Sequence, residues 1–200
     1  MADEYYLAHY RLATLLADSL DHVEEAIAHA RRCVEVAPSV AAGHLRLARC
    51  YFCTFDYRSE IGALREVLRV AWSPNDVGVA LYWLAYAFCM TDDYDAGFAC
   101  YGACSRYDAS LAEAAVAEMA DFAARRSVTP RTLDEREERQ VLAAVGIDLA
   151  AVDANVEFLV KAAGAVADVR SYGLARNLLS SAEMALHDDA MPPVLESLEE

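Results

Sequence analysis

Glycine and proline are scarce, with eight and five in 200 residues. So few chain-breaking residues exclude long irregular loops and leave regular structure to dominate. Long apolar runs are missing too. The longest uncharged stretch, Val77 to Thr91, has fifteen residues, and a membrane span needs roughly twenty. No targeting segment is legible, because Met1-Ala2-Asp3-Glu4 is acidic where a leader would be basic. The chain is therefore expected in the cytoplasm. Positive charge is also short: 17 Lys and Arg stand against 32 Asp and Glu, for a net −15. Phosphate backbones and anionic lipid repel such a chain, which argues against nucleic-acid and membrane binding.

Catalytic signatures are missing as well. No Gly-rich phosphate loop follows a strand pattern, and there is no Gly-x-Ser-x-Gly elbow and no His-Glu-x-x-His helix. Asp92, Asp93 and Asp95 cluster, but without the spacing or terminal glutamate of a calcium loop. Carboxylates are expected on exposed helix faces, as caps or for solubility. The six cysteines include Cys50-x-x-Cys53 and the pair Cys100/Cys104. His9, His22, His29, His44 and His187 supply no matching metal spacing. All six thiols are expected free and reduced, with no metal and no cofactor.

What the chain does have is repetition. A small residue on one predicted helix is followed twelve positions later by another on the next: Thr14/Ala26, Ala48/Glu60, Ala85/Gly97 and Ala163/Ala175. Only Glu60 breaks the size rule, so the second unit is expected to be locally distorted. The third copy is clearest, with Leu81, Leu84, Ala85 and Phe88, then Gly97 and Tyr101. Cys33 and Cys104 each stand seven residues after the small residue of a second helix, where a small apolar side chain fits. Capping residues open several second helices. Asp21 with Glu24 suits a capping box, and Asp56-Tyr57, Asp93-Tyr94 and Ser171-Tyr172 repeat a cap followed by tyrosine.

This spacing resembles the tetratricopeptide repeat family, whose units are helix pairs of about 34 residues. The resemblance implies an all-α fold, an α-solenoid of stacked antiparallel helix pairs in a right-handed superhelix. One array is expected to fill residues 1–200. Its units run about 7–40, 41–77, 78–110, a divergent 111–150, and 153–189, with 191–200 as a cap or tail. In the first unit the helices are expected over Glu4–Leu20 and His22–Val36. In the divergent unit, Leu111–Arg126 and Leu133–Val145 are expected as helices around a longer turn, Ser127–Pro130. The run Asp134 to Arg139 reads as a solvated helix start.

One helix departs from the amphipathic rule. Leu81, Leu84, Ala85 and Phe88 supply a single core stripe, yet Tyr82, Trp83, Tyr86, Cys89 and Met90 fill the other faces. A helix apolar all round must be covered on every side. The resemblance places first helices on a concave face that binds peptides or helices. The groove it implies is lined by Arg11, Leu12 and Leu15, then Leu45, Arg46, Arg49 and Phe52, then Tyr82, Trp83 and Tyr86. An outside ligand, the chain's own later helices or tail, or a second copy in a homodimer would each cover the aromatics. Arg46 and Arg49, three apart, are expected to point to one side and to favour a partner segment that is acidic and hydrophobic. The chaperone-binding subclass of the family clamps a carboxylate with lysines and asparagines. Lys161 is the only lysine here, so that subclass is not expected. The function expected is therefore a protein- or peptide-binding adaptor and not an enzyme. The alternatives are a small acidic chaperone for a secreted or partly unfolded client, and an enzyme whose site carries no motif.

Overall fold

Nine α-helices account for most of the described residues, and no strand occurs among them. The computed structural model describes residues 2–17, 22–71, 73–131 and 133–168; for 2–4, 159, 160 and 162–168 it describes the backbone alone. The helices are α1 (Ala2–Ala17), α2 (Val23–Val36), α3 (Ala41–Cys53), α4 (Tyr57–Val70), α5 (Pro74–Met90), α6 (Tyr94–Tyr107), α7 (Ala112–Arg126), α8 (Glu135–Ala144) and α9 (Leu149–Asp168). A 3₁₀ turn, Ala109–Leu111, leads into α7. Ser171-Tyr172 and Ala175 lie outside the described residues, so the second helix expected for the last unit has no counterpart in this description.

From α1 to α6 each helix packs mainly against the next in the chain. The small residues of the repeat are why they can approach closely. Ala26, Ala48, Ala85 and Gly97 are all buried, and so are Cys33 and Cys104. A small cluster of Ala13, Ala17, Ala26, Ile27, Ala30 and Cys50 joins α1, α2 and α3. A larger core starts in α3 and runs through Leu64, Val67, Leu81, Leu84, Phe88 and Phe98 to Leu142, Leu149 and Val152. Burial of this kind contributes about 25 cal/mol for each Å² of apolar surface removed from water.

Short loops carry the expected caps. The Asp56 carboxylate accepts from Ser59 N–H at 3.2 Å, and Asp93 accepts from Ala96 N–H at 3.2 Å. Each satisfies one of the orphan donors of the helix it opens. Asp93→Ala is therefore expected to cost about 1 kcal/mol. A urea titration with unchanged m-value reads it, and an unshifted midpoint would count against the cap. Asp21 lies outside the described residues; α2 follows His22, whose side chain makes no capping bond. Pro74 opens α5 at its first turn instead of closing the unit before it, so this helix begins four residues earlier than the expected boundary at Gly78. Proline suits that position because its missing N–H has no partner there anyway.

The expectation that carboxylates all stay exposed is wrong at three places: Glu60, Asp76 and Glu138 are buried. Glu60 nevertheless leaves α4 unbroken from Tyr57 to Val70. Asp134 and Glu137 do form a reciprocal capping box at the start of α8. Glu138, one residue on, is not solvated. It pairs with Arg106 and lies against Gly102, so α8 is held to α6. Packing agrees, since α8 lies chiefly on α6 while α7 lies on α6 and α5. Farther along, Arg65 donates to the Val145 carbonyl, and Asn155 Nδ2 donates to the Ala71 carbonyl at 2.8 Å. These two bonds bring the chain after α8 back to α4.

Candidate aromatic and arginine site

The aromatic residues singled out on α3 and α5 come together. Phe52 lies edge-on to Trp83 at 5.3 Å between ring centres and 5.6 Å from Tyr86. Trp83 is 5.6 Å from Tyr82 and 6.4 Å from Tyr86, in both cases edge to face. Such arrangements set ring edges against negative ring faces and add roughly 0.5–1.5 kcal/mol per pair beyond area burial. All four rings are half-buried, so each keeps some surface toward solvent. They stand on α3 and α5 because residues three or four apart share a helix face: Arg49 with Phe52, and Tyr82 or Trp83 with Tyr86.

Part of the cover over these rings is internal. Phe122 of α7 meets Tyr86 at 5.4 Å, and Tyr101 of α6 meets Tyr82 at 5.6 Å. Tyr57, at the start of α4, reaches Tyr86 at 6.3 Å. Later helices therefore shield one flank of the cluster.

The two arginines diverge, against the expectation that they share a side. Arg46 is half-buried and turns back to α1. Its guanidinium lies 5.0 Å from the Tyr10 ring centre, and Nη2 donates to the Tyr10 hydroxyl at 3.3 Å. Arg49 is exposed and turns toward α5. It sits 5.1 Å from the Phe52 ring centre and 5.7 Å from that of Trp83. Among the described residues no carboxylate lies within ion-pair distance of Arg49. Stacking on two rings holds its planar head in place while leaving its donors available.

Behind the cluster sits Glu60, 1% exposed, with Oε2 lacking a hydrogen-bond partner among the described residues. Burial pushes its carboxyl up to about 8, against the pull of Arg49. Its charge also reaches the Tyr57 and Tyr86 hydroxyls, which burial above all raises. The repeat spacing already put Glu60 at a packed position, and it stands four before Leu64 and seven before Val67, both core residues.

The remaining groove candidates lie elsewhere. Leu45 is half-buried against the larger core. Arg11, Leu12 and Leu15 are exposed on α1, with Leu12 at 41% and Leu15 at 74%, and none joins the ring cluster. One pairing went unread in the sequence: His9 and His29, twenty residues apart, share an Nδ1···Nδ1 hydrogen bond of 2.6 Å between α1 and α2. Burial first, and then His29 and Arg32, lower the pKa of His9. All six thiols are unbridged, and five are buried. Burial raises Cys33 and Cys50 to about 11 and Cys89 to about 12, so these stay protonated and unreactive at neutral pH. No group of three metal-ligating side chains occurs among the described residues. No helix among them is long and apolar enough to cross a membrane. No protein-family model, no curated protein and no solved structure matches the chain.

Proposed function

We propose that this chain is a protein- or peptide-binding adaptor: a tetratricopeptide-like array of helix pairs, coiled as a right-handed superhelix, that takes a partner segment on its first helices. The observation that carries the reading is Arg49. It is an exposed cation held against Phe52 and Trp83, with no carboxylate partner among the described residues, in a chain of net charge −15. An acidic protein has ample carboxylates, yet among the described residues none forms an ion pair with this group.

The chemistry that fits is a carboxylate beside a large apolar side chain. A charge-assisted hydrogen bond to Arg49 contributes about 1.5–3 kcal/mol when shielded from water. Broad, stiff rings such as Trp83 and Tyr86 are the surfaces that dominate binding energy. The overall negative charge opposes an acidic segment at long range. At physiological salt that repulsion is screened beyond about 8 Å, so the local cation decides at contact. Arg46, docked on Tyr10, belongs to the wall between α1 and α3 in this reading.

Fluorescence anisotropy tests it, with labelled peptides that alternate Asp or Glu with Leu or Phe. Arg49→Met and Trp83→Ala are each expected to weaken binding at least tenfold, about 1.4 kcal/mol, with helicity unchanged by circular dichroism. The reading fails if both variants bind as the parent does.

A further inference from the structure

Four helices of this protein stop on the same backbone turn. In each, one residue takes a left-handed conformation and its N–H reaches back three residues, while the next N–H reaches back five. Phe55 donates to Phe52 O at 3.0 Å and Asp56 to Tyr51 O at 3.0 Å. Asp92 donates to Cys89 O at 3.3 Å and Asp93 to Phe88 O at 2.9 Å. Ser127 with Val128, and Gly146 with Ile147, repeat the pattern after α7 and α8. The four left-handed residues have φ of 58°, 64°, 54° and 78°.

That conformation crowds a β-carbon against the following carbonyl, so helix stops of this kind usually hold glycine or a short polar residue. Gly146, Asp92 and Ser127 suit the rule. Phe55 does not. Nor does the phenyl ring recover the cost by burial, for it is 72% exposed and, among the described residues, its one ring contact is Tyr57 at 6.4 Å.

The chain carries its own control. The α3–α4 and α5–α6 loops are otherwise alike. Thr54 and Thr91 hydroxyls donate to Tyr51 O and Phe88 O at 2.9 and 3.0 Å, and Asp56 and Asp93 cap the next helices. The second loop makes the same turn with Asp92 where the first has Phe55. Folding therefore needs the turn and not the phenyl. A strained residue that the fold does not require points to a role outside the fold.

Phe55 also stands at the outer end of the ring cluster. Its ring meets Tyr57, Tyr57 meets Tyr86, and Tyr86 meets Phe52 beneath Arg49. Arg58, exposed beside Tyr57, likewise forms no ion pair among the described residues. The aromatic strip thus holds Arg49 at its inner end, while Arg58 follows Tyr57 in the chain and acts on the Asp56 carboxylate.

We infer that Phe55 is an anchor of the partner-binding surface, and that its occupant is an acidic–apolar protein segment. That segment sets an apolar side chain on Phe55 and Tyr57 and presents a carboxylate to Arg49. The inference rests on the binding function proposed above. Charge complementarity selects the occupant: Arg49 borders the strip with no ion-pair partner among the described residues, in a chain of net charge −15.

Phe55→Asn and Phe55→Gly, made in the full chain, test the inference with the same labelled acidic–apolar peptides. Both are expected to weaken peptide binding at least roughly tenfold. Both are expected to melt at the parent temperature or about 2–4 °C above it, because the strain is relieved. That opposition of signs is the signature. A lower melting temperature would make the phenyl a folding residue and overturn the inference. Unchanged peptide affinity would overturn it too, while loss in Arg49→Met and Trp83→Ala would keep the wider reading standing. If no such peptide binds the parent, both fall. If sedimentation shows a parent dimer that Phe55→Asn dissociates, the occupant is a second copy and the inference is wrong.

Discussion

Gly97→Leu is expected to destabilise the protein by about 3 kcal/mol or more, whereas Gly62→Ala stabilises it by about 1 kcal/mol. Both are glycines inside helices, and the difference lies in what surrounds them. A β-carbon at Gly97 would meet the Cys89 sulfur, the Ala85 carbonyl oxygen at 3.0 Å and the Cys89 nitrogen at 3.3 Å. Two of those three atoms are backbone of α5, so neither can rotate away. The crossing of α5 and α6 is built on this absence of a side chain, and a leucine must force the helices apart. A β-carbon at Gly62 meets nothing within 4 Å, on the exposed side of α4. There alanine only gains helix propensity and restricts the unfolded chain. Urea titration of both variants reads the two signs. Equal effects at the two sites would remove close approach as the reason for Gly97.

The second large effect is a pH dependence centred on Glu60. Its folded pKa, about 8, lies above the ordinary 4.5. Between those values the folded protein keeps a proton that the unfolded chain has released. Stability from this group is therefore highest below about pH 4.5 and falls as pH rises toward 8. Each pKa unit corresponds to about 1.4 kcal/mol, so the parent should lose on the order of 3 kcal/mol between pH 5 and 8 relative to Glu60→Gln. Asp76, which burial raises to about 6, shifts in the same direction but is common to both proteins and cancels in the difference. Urea melts at pH 5, 6.5 and 8 measure it. Parallel pH profiles for parent and variant would show that Glu60 does not titrate in this range.

What the sequence made legible was short-range. Small residues twelve apart located the buried contacts at Ala26, Ala48, Ala85 and Gly97, because close helix approach demands small side chains at fixed spacing. Asp56 and Asp93 announced their caps through local chemistry alone. Of the ten groove candidates, Phe52, Tyr82, Trp83, Tyr86 and Arg49 meet in one cluster. Arg46 went astray because residues three apart share a face but not a destination. Its long side chain found Tyr10, 36 residues away. Glu138 was misread because an acidic run at a helix start usually faces water. The corrective signal was present: Glu138 stands four before Leu142, on the face that α8 buries. Glu60 stands where the repeat wants a small residue, which led to the expectation of a distortion; α4 instead runs unbroken and buries the carboxyl.

The bonds from Arg65 to Val145 and from Asn155 to Ala71 also constrain how the molecule comes together in time. From α1 to α6, each helix meets its neighbour as soon as the next short segment exists, so these contacts close small loops. The two returning bonds join residues 80 and 84 apart and must wait until most of the chain has been made. Closing a loop of about 80 residues in place of one of about 20 costs only about 1.2 kcal/mol more, since each doubling adds about 0.6. The delay is therefore one of sequence and not of a high barrier. Until α8 and α9 arrive, Arg65 and the Ala71 carbonyl lack these partners, and a nascent chain during synthesis would leave them to water.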